Sequence, residues 1–154
     1  MRRYSRAIAA ACVAVTALST ASSHAAGTSS FEIHEVVDFT GEGDNTFTAS
    51  GLGDCTSGTF TDEVVAQAPR SGGFNLVIRT VFECSTGDDI YALKKVHFTF
   101  DTETSGHNTG PIQLLGGTGD FEDIQGHGVD NGTADFDAGV GHATITGFVV
   151  EGSM

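Results

Sequence analysis

The sequence predicts an all-β protein, an eight-stranded antiparallel closed β-barrel with one disulfide. Apolar and polar residues alternate with period two in run after run, and glycine-containing turn signals occur along the same part of the chain. Beyond the N-terminal segment, no stretch of ten or more residues has the 3.6-residue apolar periodicity of an amphipathic helix. Eight strands are enough for a sheet to close on itself, which removes its exposed edges. An open sandwich is the alternative all-β arrangement.

Residues 1–25 have the composition of a secretory signal peptide. Three arginines lie among the first six residues, an apolar run follows over residues 7–18, and small residues precede the end of the segment. This arrangement predicts cleavage between Ala25 and Ala26 and secretion of the remaining chain. No linker or internal repeat divides residues 26–154, which we expect to form a single β-barrel domain.

The chain after residue 25 is strongly acidic. It keeps all 20 Asp and Glu but only four Lys and Arg, which corresponds to a net charge of −16. Such a chain lacks the clustered basic residues that nucleic-acid binding requires. Its apolar runs are shorter than the roughly 18 residues that span a membrane. We therefore expect neither nucleic acid nor, after cleavage, a membrane as partner. The acidic surface either keeps the protein soluble or attracts a cation.

Two cysteines, Cys55 and Cys84, follow the predicted cleavage site. An isolated pair of cysteines in an exported protein predicts a disulfide. A catalytic thiol is the alternative, but neither cysteine lies in a CxxC motif or beside a histidine.

The alternating runs predict the strands in chain order. The first run carries Phe31, Ile33, Val37 and Phe39 on one face, and the later runs alternate in the same way. The predicted strands cover residues 31–39, 45–50, 58–67, 73–83, 89–100, 111–115, 125–136 and about 143–149. Turn signals in which glycine accompanies polar residues occur at 41–43, 51–54, 71–73, 86–88 and 130–132.

Four polar residues of the central runs form a candidate ligand-binding cluster. Tyr91 and His97 lie on the more polar face of the run 89–100, and Arg79 and Glu83 lie on the polar face of the preceding run. If these faces line the barrel lumen, the four side chains converge inside it. If the faces point to solvent, the four are surface groups.

The segment 114–126 reads Leu-Leu-Gly-Gly-Thr-Gly-Asp-Phe-Glu-Asp-Ile-Gln-Gly. Its glycines allow a tight reversal with positive φ after a strand that ends at Leu115. We expect Phe121 to anchor the turn in the core and Gly126 to begin a strand whose backbone lies close to a neighbour. Gly116, Gly117, Gly119, Phe121 and Gly126 form this structural turn motif.

This turn motif resembles the G-G-T/S-G-x-F/Y-x-x-x-x-G segment of allene oxide cyclases and dirigent proteins. The resemblance implies an eight-stranded barrel with a lumen at one end. It also implies a role in shaping a small molecule, either by cyclisation or by radical coupling, without a dissociable cofactor. The segment is architectural in those proteins, so no catalytic residue transfers to this chain with it.

The sequence predicts no cofactor. The histidines form no HxxxH or HExxH pattern and no Cys/His cluster, so zinc has no support. The acidic residues between Asp120 and Asp137 could supply oxygen ligands to calcium, but their spacing fits no EF-hand loop. Turn formation and a soluble surface explain the same residues.

Three functions follow from these observations. The first is a secreted barrel that binds an apolar or aromatic small molecule in its lumen without turnover. The second is a cyclase- or dirigent-like, cofactor-free protein that steers ring closure or coupling by confinement. The third is an exported structural or interaction module whose lumen is filled by its own side chains. Eight-stranded barrels are just wide enough to be filled or to hold one ligand, so the lumen discriminates among these functions.

Overall fold

Eight antiparallel strands close into a barrel in the computed structural model, which describes residues 27–150. Each strand pairs with its neighbours in chain order, and β1 pairs with β8 to complete the ring. The strands are β1 (Thr28–Asp38), β2 (Thr46–Ser50), β3 (Ser57–Arg70), β4 (Gly73–Cys84), β5 (Asp89–Phe100), β6 (Ser105–Gly117), β7 (Gly126–Asp135) and β8 (Val140–Val150). The predicted all-β barrel is confirmed. The predicted signal peptide lies outside the described residues.

No helix within residues 27–150 is long and apolar enough to cross a membrane. A single 3-10 turn, η1 (Gly119–Phe121), lies between β6 and β7.

β6 exceeds its predicted length by more than any other strand. β6 begins at Ser105, six residues before the predicted run, and includes a glycine- and polar-rich stretch of low β propensity. Pairing with β5 on one side and β7 on the other supplies the stability that propensity does not. The glycines also fit the inner face, because a side chain at Gly106 would overlap the ring of Phe98.

Two predictions cover residues 130–132: the strand over 125–136 is confirmed as β7, and the turn signal inside it is wrong. Asp130 and Gly132 lie inside β7, which pairs with β6 and β8 along this stretch. Between them Asn131 points outward, where its Oδ1 accepts a hydrogen bond from Thr109 Oγ1 at 2.7 Å. The Asp-Asn-Gly signal is local, and strand pairing on both sides overrides it.

One end of the barrel is plugged by two connections. Leu52 and Cys55, from the β2–β3 connection, and Phe121 and Ile124, from the β6–β7 connection, are all buried. In the structural turn motif, β6 ends at Gly117, two residues after the predicted Leu115. As expected, Gly116 and Gly119 have positive φ values, of 124° and 54°, and Phe121 is 3% exposed. At Gly126 a Cβ atom would lie 2.9 Å from the carbonyl oxygen of Phe148.

The predicted disulfide is confirmed and lies at this plugged end. Cys55 and Cys84 are bonded, and their Cα atoms are 5.3 Å apart. The bond ties the β2–β3 connection to the last residue of β4.

At the opposite end β3 extends beyond its short neighbour. β2 pairs with only the first part of β3, at Ser57, Gly58 and Thr59, whereas β4 pairs with β3 as far as Arg70. A bulge between Val64 and Ala66 changes the alternation of β3 by one residue. As a result, both Val64 and Gln67 face the lumen.

Candidate functional site

The open half of the barrel contains a cavity of about 380 Å³. This volume lies in the range of small-molecule sites, roughly 300 to 1,000 Å³. Its walls are the inward side chains of most of the strands. The apolar ones are Val37, Val64, Leu76, Ile78, Val96, Ala134 and Ala143, together with the five phenylalanines of the mouth.

Those five phenylalanines, Phe39, Phe74, Phe98, Phe100 and Phe136, form what we call the aromatic mouth. Neighbouring ring centroids in this group are 5.1 to 6.4 Å apart. Phe39, Phe100 and Phe136 are more than 40% exposed. The entrance to the cavity is therefore an apolar surface that is partly exposed to solvent.

The other half of the lumen is filled by the protein's own side chains. Ile33, Phe60, Phe82, Ile112 and Ile145 are at most 2% exposed and pack in one cluster. Side chains of β1, β3, β4, β6 and β8 thus meet in the centre of the barrel. The barrel is half filled and half open.

A buried ion pair separates the two halves. Lys94 Nζ lies 2.6 Å and 2.9 Å from the two carboxylate oxygens of Glu35, and each side chain is 2% exposed. Two further carboxylates approach the same ammonium, with Asp62 Oδ2 at 3.6 Å and Asp130 Oδ2 at 3.9 Å. We call these four residues the charged floor of the cavity.

Two aromatic rings of the packed half contact the Lys94 ammonium. Lys94 Nζ lies 5.4 Å from the ring centroid of Phe60 and 5.8 Å from that of Phe82. At these distances the negative faces of the rings attract a cation. The site therefore stabilises Lys94 as an ammonium both through its carboxylates and through aromatic contacts.

Strand alternation places the ion pair in the lumen. Glu35 takes the inward position between Ile33 and Val37 of β1, and Lys94 takes the inward position between Ala92 and Val96 of β5. Our sequence interpretation missed both residues. The signal that could have found them is a single charged residue within an otherwise apolar face of a strand, as at Glu35 in β1 and Lys94 in β5.

Burial and charge act against each other on the floor. Burial raises the pKa of Glu35 to about 7, although the Lys94 ammonium opposes the shift. Burial also raises the pKa of Asp130, against the charge of Lys94 and a hydrogen bond from Asn108. For Lys94, burial lowers the pKa, but the three surrounding carboxylates outweigh it and leave the pKa above its usual value.

Two of the floor carboxylates differ in their hydrogen bonding. Asp62 Oδ1 accepts a hydrogen bond from Thr80 Oγ1 at 2.5 Å. Asp130 Oδ1 is buried and has no hydrogen-bond partner among the described residues, although its side chain is only 4% exposed. Asp130 lines the cavity, and its unused acceptor Oδ1 is covered by neighbouring groups.

The four residues of the candidate cluster lie on the outer wall. Tyr91, His97, Arg79 and Glu83 are all exposed and do not line the cavity. Arg79 pairs with Glu63 at 3.0 Å, and Glu83 accepts a hydrogen bond from Thr59 at 2.9 Å. They face solvent because the inward positions of β4 and β5 belong to apolar residues, to Thr80 and to Lys94. The structure therefore places these four residues on the surface, which is the second of the two alternatives given above.

The acidic tract is not gathered at one point. Asp135 ends β7, whereas Asp137 lies in the turn that follows it. Within residues 27–150, no three His, Cys, Asp or Glu side chains are grouped so that they could hold a metal ion.

A second depression, of about 570 Å³, lies on the outer wall. Outward side chains of β1, β7 and β8 line it, among them Val129 and Phe148, which are half exposed. The charged floor does not border it. The cavity in the open half is thus the site where buried charges and apolar walls meet.

Comparison of the chain with protein-family models, with curated proteins and with solved structures gives no match.

We expect the free energy of unfolding to fall as the pH rises from about 4.5 to about 7. In this window Glu35 is protonated in the folded protein but ionised in the unfolded chain, because its pKa is 4.5 when unfolded and about 7 when folded. The folded state then binds more protons, so raising the pH favours unfolding. The expected loss is about 3 kcal/mol, from 1.36 kcal/mol per pKa unit. Asp130, whose pKa is also raised, acts in the same direction.

Urea denaturation between pH 4.5 and pH 8 measures this dependence. Glu35→Gln should flatten it, while Glu32→Gln, on the outer face of the same strand, should leave it unchanged. A stability that is constant or rises across the window in the unsubstituted protein would contradict a raised pKa at Glu35.

Proposed function

We propose that the protein is a secreted barrel that binds an apolar or aromatic small molecule in the open half of its lumen without turnover. One observation carries the proposal: a cavity of about 380 Å³ with apolar walls opens through the aromatic mouth. A folded protein ordinarily fills such a space with side chains, because empty apolar volume forfeits packing energy. A ligand would restore those contacts.

The contrast between the two halves supports binding over a purely structural role. A purely structural barrel needs no open lumen. The packed half shows that large apolar side chains can fill the lumen of this barrel, yet the other half is left open. In the open half the rings of Phe39, Phe100 and Phe136 remain partly exposed to water. Exposed apolar groups that converge on a cavity are typical of binding sites.

Secretion is part of the proposal and rests on the N-terminal signal-peptide pattern. The disulfide between Cys55 and Cys84 is compatible with an oxidising compartment.

A second candidate is a cofactor-free protein that steers ring closure or coupling of the bound molecule. The observation that favours it is the ionisable floor: Asp130 is buried, has a raised pKa and faces the cavity. Groups of this kind are common where proton transfer occurs. The resemblance of segment 114–126 to allene oxide cyclases and dirigent proteins points the same way, as an analogy of fold.

Fluorescence titration with N-phenyl-1-naphthylamine, a neutral aromatic probe, tests binding. We expect one site that saturates in the micromolar range. Ala134→Phe places a ring in the cavity and should weaken binding at least about tenfold, whereas Ala68→Phe, at an exposed position of β3, should not. Melting temperatures establish that both variants fold. Equal binding by the two variants would contradict a site in the lumen.

Native mass spectrometry of protein purified from its own culture fluid then separates the two candidates. A carrier should retain one unaltered organic molecule. If the retained molecule is returned to the protein and recovered as an isomer or coupled product, and Asp130→Asn abolishes that conversion, the second candidate replaces the first.

A further inference from the structure

The cavity contains more negative than positive charge. Of the Lys and Arg residues within 27–150, Lys94 alone lines it, together with the carboxylates of Glu35, Asp62 and Asp130. His142 is the other titratable residue on its wall. One ammonium therefore faces three carboxylates, two of which are almost fully buried. Buried charge of one sign is costly unless a counter-charge or protons compensate it.

Lys94 has little capacity left for a ligand. Its Nζ makes two short hydrogen bonds to Glu35 and lies within 4 Å of both remaining carboxylates. A carboxylate or phosphate in the cavity would be repelled by the carboxylate oxygens that surround Lys94, and the Lys94 ammonium would offer it no free hydrogen-bond donor. The charged floor therefore disfavours binding of anionic ligands.

A second, independent feature of the charged floor is an unpaired acceptor on Asp130, which favours a ligand with a hydrogen-bond donor. Its Oδ1 atom is buried without a hydrogen-bond partner among the described residues, and its side chain is 96% buried, since 4% is exposed. An unpaired buried acceptor is rare in folded proteins because water no longer satisfies it. Asp130 lines the cavity, but Oδ1 itself is covered, so the carboxylate must turn toward the cavity for a ligand to reach the atom.

We propose that the ligand is an amine: an apolar or aromatic body whose protonated amino group donates to Asp130 Oδ1 at the charged floor. The body packs against the walls below the aromatic mouth, and the ammonium offsets the excess of carboxylates around Lys94. This inference rests on the proposed binding function and narrows it to one chemical class.

Three probes that share a naphthalene body test the class. They are 2-(1-naphthyl)ethylamine, 2-(1-naphthyl)ethanol and 3-(1-naphthyl)propanoate, titrated at pH 8 by displacement of N-phenyl-1-naphthylamine or by calorimetry. We expect the amine to bind about tenfold more tightly than the alcohol, because a charged donor forms the stronger hydrogen bond to a carboxylate. The propanoate should bind most weakly. Equal binding of amine and alcohol, or tighter binding of the propanoate, would overturn the proposal.

Asp130→Asn locates the interaction, since it keeps the size of the side chain and removes its charge. We expect it to weaken amine binding by about tenfold to a hundredfold, the range for a charge-assisted hydrogen bond. Binding of the alcohol should change by less than about threefold. Asp123→Asn, an exposed residue before β7, is the matched control for net charge and should leave both affinities unchanged. A loss of amine affinity that is equal in both variants would mean long-range attraction and not a site at Asp130.

The neutral probe keeps this inference separate from the proposed function. If N-phenyl-1-naphthylamine binds and is blocked by Ala134→Phe but the amine shows no advantage, the lumen site stands and the amine assignment fails. If neither the neutral probe nor any naphthalene compound binds, the binding function itself fails. Retained binding of the neutral probe by Asp130→Asn shows that its cavity is intact.

Discussion

Lys94→Met is expected to lower the free energy of unfolding by about 3 to 5 kcal/mol, the range for removing one partner of a buried ion pair. Methionine preserves the apolar stem but leaves the carboxylates of Glu35, Asp62 and Asp130 without the ammonium they share. Two of those side chains are at most 4% exposed, so water cannot replace it. Urea denaturation followed by circular dichroism measures the change.

The loss should depend on pH. At pH 5 the carboxyls of the Lys94→Met variant can take up protons and become neutral, which limits the penalty. At pH 8 protonation is costly, and the destabilisation should approach the upper end of the range. Lys95→Met is the control, because Lys95 is the next residue of β5 and is exposed on the outer wall. A Lys94→Met variant no less stable than Lys95→Met at pH 8 would show that the floor does not need the cation.

A double substitution separates the pair from its surroundings. Glu35→Gln combined with Lys94→Met removes both charges, and the total loss should be smaller than the sum of the two single losses. The two side chains are in direct contact at 2.6 Å, which is the condition for such coupling. Additive losses would mean that Asp62 and Asp130 hold Lys94 as effectively as Glu35 does.

The fold could be predicted because its signals are local and repeated. The alternation in β1, β4 and β5 identifies strands whatever they pair with, and the order of antiparallel neighbours follows from short connections. The same logic accounts for the errors. Asp130-Asn131-Gly132 has the local chemistry of a turn, and the start of β6 has the composition of a loop, yet pairing with both neighbours makes each a strand.

The candidate site was harder to predict, because its residues meet only when the barrel closes. Glu35 and Lys94 are 59 positions apart, and Asp130 lies on a third strand. Polar side chains on polar faces, such as Tyr91 and His97, drew the sequence interpretation to the outer wall. The more informative residues are the charged ones on apolar faces, because burying a charge without a partner is so costly that its partner must lie nearby.

Cys55→Ser and Cys84→Ser are each expected to lower the free energy of unfolding by roughly 3 to 4 kcal/mol. The bond closes a loop with a sequence separation of 29 residues, and losing it returns that loop's conformational entropy to the unfolded chain. Both cysteines are buried at the plugged end, so a serine hydroxyl there adds a desolvation cost. Thermal and urea denaturation of the oxidised protein provide the reference.

The double variant Cys55→Ser/Cys84→Ser should be about as stable as the less stable of the two single variants, because each single substitution already removes the disulfide. Treatment of the unsubstituted protein with a reductant should produce a similar decrease. Clearly additive losses would show instead that each cysteine acts through its own packing. The disulfide lies at the end opposite to the aromatic mouth, and the packed half of the lumen separates it from the cavity. Its loss should therefore reduce stability while leaving the affinity of the folded protein for N-phenyl-1-naphthylamine nearly unchanged.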